Sequence, residues 1–99
     1  MKTFTKKKLD NELKKKKITF TDNAWEDYQY WQKNDDAKFK KINELIESCL
    51  TSLHQGIGKP EKLSSNLKGY YSRRIDLENR LVYKGDGDSL IILAARHHY

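Results

Sequence analysis

The chain of 99 residues has one cysteine, Cys49, and one proline, Pro60. A single thiol excludes an internal disulfide and a zinc site built on cysteines, and it fits a reducing cytoplasm. No apolar run exceeds six residues, Leu90-Ile91-Ile92-Leu93-Ala94-Ala95, which is far short of a membrane span. The Lys-rich start is not followed by an apolar stretch, so a secretory signal is not expected. No His-x-x-His spacing is present to hold a metal, and neither a metal nor any other cofactor is implied.

Charge is plentiful and unevenly placed. Residues 1–17 carry eight Lys against Asp10 and Glu12, which accounts for the whole net charge of +6. Residues 18–58 carry four basic and seven acidic groups, whereas residues 59–99 carry eight basic and five acidic ones. All four arginines, Arg73, Arg74, Arg80 and Arg96, fall in that last segment. Arginine suits bidentate phosphate contacts and stacking, so the second half is the expected nucleic-acid face.

Residues 1–16 read as a basic N-terminal extension, a mobile arm or frayed helix, and residues 17–99 as one domain. Lys17-Ile18-Thr19-Phe20 reads as a first strand, with Thr21 or Asp22 capping a helix. Ala24, Tyr28 and Trp31 form one helical stripe, with Trp25 beside it, and both tryptophans read as core or rim packing. Asn34-Asp35 breaks the helix. A second helix is predicted over 36–54, with Phe39, Ile42, Ile46, Cys49 or Leu50, and Leu53 on one stripe and Gly56 as its C-terminal cap. A Gly/Pro loop follows, and residues 63–68 lead into a meander of strands at 70–76, 80–84 and 89–95. Leu77-Glu78-Asn79 is the expected first hairpin loop, with Asn79 left-handed, and Asp86-Gly87 the second. The fold class is α+β, in the order β-α-α-β-β-β: a small, twisted, mainly antiparallel sheet packed on a two-helix hairpin.

The chain ends Arg96-His97-His98-Tyr99, directly after the apolar strand. A cation, an imidazole and an aromatic ring in one small volume suit chemistry on a phosphodiester, although a frayed polar tail has the same composition. With Asp76 opposite Arg80, Arg74 and Arg80 share one face of the sheet. Such a pair repels unless an anion lies between them or Asp76 or Glu78 neutralises them. Glu61, in the Gly/Pro loop, is the acid nearest Gly58 and Lys59.

Several motifs then resemble one family, the YoeB/Txe toxins of the RelE/ParE superfamily. They are Trp25-x-Asp27-Tyr28-x-Tyr30-Trp31-Gln32, Lys41-Ile42-Asn43-Glu44-Leu45-Ile46, Gly58-Lys59-Pro60-Glu61, Ser72-Arg73-Arg74-Ile75, Arg80-Leu81-Val82-Tyr83 and the Arg96-x-His98-Tyr99 end. The likeness covers the body from about Ile18 to Tyr99. It implies a RelE-like microbial RNase fold and a ribosome-dependent endoribonuclease that cuts mRNA in the decoding site by 2′-OH attack. By the same likeness Glu61 is the general base, Arg80 with Arg74 stabilises the phosphorane, His98 is the general acid and Tyr99 positions RNA. Lys59, Arg73, Arg96 and His97 are the implied RNA-binding residues. The implied partners are the ribosome with its mRNA and a cognate antitoxin of the YefM/Axe kind, and a homodimer is left open. Two positions depart from the pattern: His97 stands where Tyr is frequent, and Ser64 where Lys is common. A gyrase-inhibiting toxin of the same superfamily and a non-catalytic RNA-binding module are the alternatives.

Deleting residues 1–16 removes charge and no implied catalytic group. Single-turnover cleavage on ribosomes stays nearly intact at saturating protein, while salt-sensitive binding to ribosomes or free RNA weakens. A shortened chain that binds fully and cannot cut reverses that division.

Overall fold

The computed structural model describes residues 5–14 and 16–97. The elements are α1 (Lys6–Lys14), β1 (Lys17–Phe20), α2 (Asp22–Asn34), α3 (Asp36–Thr51), β2 (Glu61–Lys62), a short turn of tight helix (Ser65–Leu67), β3 (Tyr71–Arg74), β4 (Arg80–Asp86) and β5 (Ser89–Ala94). They form a five-stranded sheet in the order β1-β5-β4-β3-β2. β1 runs parallel to β5 and the other pairs are antiparallel, which is the α+β plan expected, with β2 and α1 added.

Within the extension, α1 is a nine-residue helix. Just past it, the Lys16 ammonium donates to the Leu50 carbonyl at 2.9 Å. Thr21 closes β1 and caps α2, its hydroxyl accepting from the Ala24 amide at 3.2 Å. The helical hairpin then turns on one residue. Asp35 donates its amide to Trp31 O at 2.9 Å and accepts from the Lys38 amide at 3.2 Å, ending one helix and capping the next. Ala24 and Trp31 from α2 and Ile42, Leu45, Ile46 and Cys49 from α3 are buried against Leu81, Tyr83 and Ile92 of the sheet. Trp25 packs at the rim, about half exposed, stacked on Tyr28 and edge-on to Phe20.

Three boundaries differ from expectation. α3 stops at Thr51, because the Ser52 hydroxyl accepts from the amides of His54 and Gln55 and folds the chain into a turn. Gly56 is therefore no helix cap. It sits at φ +123°, pressed so close to Ser48 Oγ that a side chain has no room. The first hairpin pairs Arg74 with Arg80, so its loop is residues 75–79 and Asn79 is not left-handed. Asp76 folds that loop, accepting from the amides of Glu78 (2.8 Å) and Asn79 (2.7 Å). In the second hairpin β4 reaches Asp86, and Gly87-Asp88 makes the turn.

Arg73, assigned above to RNA, is the most completely buried polar group, with no exposed surface. Its Nε donates to the Tyr83 hydroxyl (2.9 Å). Nη1 donates to Ser48 Oγ (2.6 Å) and Ile57 O (3.0 Å), and Nη2 to Ser52 O (2.6 Å) and Gln55 O (2.9 Å). All five N–H groups are used, so nothing is left to meet a phosphate. Burial pushes the Tyr83 hydroxyl up to about 12 and the Cys49 thiol up to about 11, with the guanidinium pulling both the other way. Both groups stay neutral under the charge.

Lysine keeps the charge but offers three donors in place of five. Arg73→Lys is expected to cost about 2–5 kcal/mol, since hydrogen bonds to charged donors are worth about 1.5–3 kcal/mol each and orphaned carbonyls add to the loss. Urea denaturation reads this directly. A parent-like midpoint removes Arg73 as the tie between α3, the loop and the sheet.

Candidate active site

Side chains alternate across a strand, so β3 presents Tyr71 and Arg73 to the helices and Ser72 and Arg74 to the other side. Registers extend that rule over the sheet. Glu61 lies opposite Ser72, Ser72 opposite Val82 and Arg74 opposite Arg80. Glu61, Ser72, Val82, Arg74 and Arg80 therefore share the face turned away from α2 and α3. Ser72 and Val82 are buried in the floor of that face, and Glu61 stands at its edge. The arginine pair is two residues along, about 6.6 Å at the usual rise.

Glu61 was read as a loop residue. It belongs instead to a two-residue strand, too short for alternation to reveal. The loop before it is docked. Gly58 O accepts the Arg74 amide at 2.7 Å, and exposed Lys59 follows in a left-handed conformation, beside the arginines.

Among the described residues, neither Arg74 nor Arg80 has a carboxylate partner. Arg80 Nη1 donates to the backbone oxygen of Asp76, at 3.1 Å. The Asp76 carboxylate is spent on Lys38 (3.1 Å) and on the Asn79 amide (3.1 Å to each oxygen). Burial raises its pKa, but hydrogen bonds from Asn79, Glu78 N and Lys38 outweigh that and hold it at about 2. Asp76 therefore does not neutralise the pair.

The C-terminal segment is no frayed tail up to His97. α2 grips Ala95 at both backbone groups: Asp27 Oδ2 accepts its amide (2.9 Å) and Trp31 Nε1 donates to its carbonyl (2.6 Å). The His97 amide donates to Asn79 Oδ1 (2.6 Å), and its carbonyl accepts the Arg80 amide (2.9 Å). His97 itself is exposed, at φ +63°. Arg96 departs from expectation. Its guanidinium lies 3.5 Å from the Tyr30 ring centroid, in a cleft of about 400 Å³ with Glu26 and Lys33, so it is committed to α2 and not to the arginine pair. His98 and Tyr99 lie outside the described residues.

Sequence reasoning missed Asp27, Trp31 and Asn79 as holders of the terminus. The i, i+4 spacing of Asp27 and Trp31 and the Asp-x-x-Asn loop were the available signals. Among the described residues no three His, Cys, Asp or Glu side chains cluster to hold a metal ion. Among the described residues, too, no helix is long and apolar enough to cross a membrane.

Residues 20–99 match the family model for the YoeB-like toxin of bacterial type II toxin–antitoxin systems. Toxin YoeB of Streptomyces coelicolor is 49% identical over 83 residues, which is 84% of this chain and 99% of that protein. The YoeB dimer from Staphylococcus aureus is similar at 54% identity and a TM-score of 0.79, covering 84% of this chain and 97% of that one. The toxin in the heterotetrameric YoeB–YefM complex from Staphylococcus aureus is 54% identical with a TM-score of 0.78, covering 83% and 95%.

Like charges directly opposite in a sheet are destabilising by roughly 0.2–1 kcal/mol. Arg74→Thr is therefore expected to raise thermal stability by about that amount at low salt, with the gain fading as salt screens the pair. Equal melting temperatures at low salt mean that the repulsion is neutralised.

Proposed function

The chain belongs to the YoeB-like toxins of bacterial type II toxin–antitoxin systems, and on that premise we propose that it is an endoribonuclease cutting mRNA in the decoding site of the ribosome. Glu61 takes the proton of a ribose 2′-OH. The freed oxygen attacks the adjacent phosphorus, and the bond to the 5′-oxygen breaks. His98 returns a proton to that leaving oxygen. The products are a 2′,3′-cyclic phosphate, which opens to a 3′-phosphate, and a 5′-OH. Arg80, with Arg74, offsets the charge that grows on the phosphorane, where fixed cations act most strongly. Lys59 contacts the RNA backbone, His97 lies against it, and Tyr99 stacks on a base. The roles of His98 and Tyr99 come from the family resemblance, and the clamped Ala95 and His97 support them by fixing where the chain departs. No step calls for a metal.

The observation that supports this reading most is the pair of arginines left without a carboxylate among the described residues, on the same sheet face as Glu61. A protein that only needed stability would neutralise that repulsion. The Staphylococcus aureus relatives occur as a dimer and as a heterotetramer with YefM. By that likeness the partner here is a YefM-like antitoxin covering the cationic face, and two copies of this chain form the free protein. Ribosomal work places it in the cytoplasm.

Glu61→Gln is expected to fold and to bind ribosomes while cutting about 10²–10⁴-fold more slowly, the usual worth of a positioned base. Single-turnover cleavage with analysis of the RNA ends measures both rate and chemistry. Parent-like cleavage by the variant removes Glu61 from the mechanism. Intact mRNA with the parent protein favours the gyrase-directed or purely RNA-binding alternatives.

A further inference from the structure

The open face continues past the Glu61 row in the direction opposite to the arginines. Leu63 donates its amide to Tyr70 O at 3.0 Å, which extends the β2–β3 pairing by one step. One step beyond the Tyr71–Tyr83 pair, the β3–β4 register leads to Tyr70 and Lys84, and the Lys84 ammonium is 5.5 Å from the centroid of the Tyr70 ring. By alternation Tyr70 and Lys84 point to the same side as Ser72 and Val82. They stand two residues, about 6.6 Å, beyond that row. Beside the ring opens a pocket of about 420 Å³, bordered by Leu63, Ser64, Ser65, Lys62 and Lys68. Tyr70 is held in place, since its amide donates to Leu67 O at 3.1 Å while its carbonyl takes the Leu63 amide. Gly69 at φ +97° turns the chain tightly just before it.

From this we infer that Tyr70 and the pocket form a subsite for the base of a single-stranded RNA nucleotide flanking the cleaved bond, with Lys84 meeting its phosphate. The ring supplies a stacking surface that every base fits. Lys84 over the ring and Lys68 at the pocket wall match the charge of the RNA backbone. Tyr70 stands two positions from Ser72, the partner of Glu61, on the same side of the sheet, and the spacing of the two rows suits neighbouring nucleotides of one strand. An aromatic segment of the antitoxin is the competing occupant, but it does not call for a lysine held over the aromatic platform. The inference rests on the nuclease reading for the position of the cleaved bond.

The test uses the full chain and an RNA that cannot be cut, 2′-O-methylated at the cleavage position, free in solution and on ribosomes programmed with it. Tyr70→Leu should weaken binding by roughly 5- to 150-fold, the usual worth of a stacked base, while Tyr70→Phe binds like the parent. Removing the base from one flanking nucleotide should cause the same loss with the parent protein and no further loss with Tyr70→Leu. Lys84→Ala should lower the salt dependence by about one phosphate contact. Parent-like RNA binding by Tyr70→Leu overturns the subsite. So do base-removal and mutation losses that multiply independently, or a loss confined to the complex with the antitoxin. Because this RNA stays whole, these outcomes judge the subsite alone, whereas uncut normal mRNA judges the nuclease.

Discussion

A buried guanidinium held by hydroxyls and carbonyls governs this domain. Arg73 finds its partners in the Tyr83 and Ser48 hydroxyls and three loop carbonyls. Leaving any of them means a charge without full hydrogen bonding in a dry interior, which is among the costliest states a protein can hold. So the end of α3, the loop after it and strands β3 and β4 form one rigid body. The chain leaves that body at Gly58, whose carbonyl is already bound to Arg74, and passes within three residues to Glu61. The position of the candidate base is thus inherited from a residue on the opposite face.

Neighbouring arginines on β3 show how one strand divides its labour. Arg73 is saturated and structural; Arg74, one residue on, is exposed and set against Arg80 with no carboxylate among the described residues. Arg96 has a third fate, over the ring of Tyr30. Four cations of one type on a basic half-chain therefore do three different jobs, separated by the pleat of the sheet and by the packing of α2.

The architecture was largely legible in the sequence because its signals are periodic. The Ala24–Tyr28–Trp31 and Ile42–Ile46–Cys49 stripes are the buried helix faces, and the alternation after Tyr70 is the meander. What escaped has physical reasons. A two-residue strand has no period, so Glu61 looked like loop. The length of the first hairpin loop was set by the Asp76 side chain, which hydrophobic patterning does not register. Arg73 and Arg74 carry identical side chains, and only the burial of one face tells them apart. Shared sheet face for Arg74 and Arg80 was readable, since both the expected and the observed pairings keep it.

The order of strands also sets when this face comes into being. β5, the last strand in chain order, lies inside the sheet between β1 and β4. β1 waits some seventy residues for its neighbour, since Lys17 pairs with Ser89. The α2–α3 hairpin closes on local contacts alone, but long-range pairing forms late. During synthesis, therefore, the helices assemble while the sheet is still unfinished. The cationic surface takes shape only once nearly the entire polypeptide has emerged, so an interrupted translation product of this protein carries the charge without the geometry.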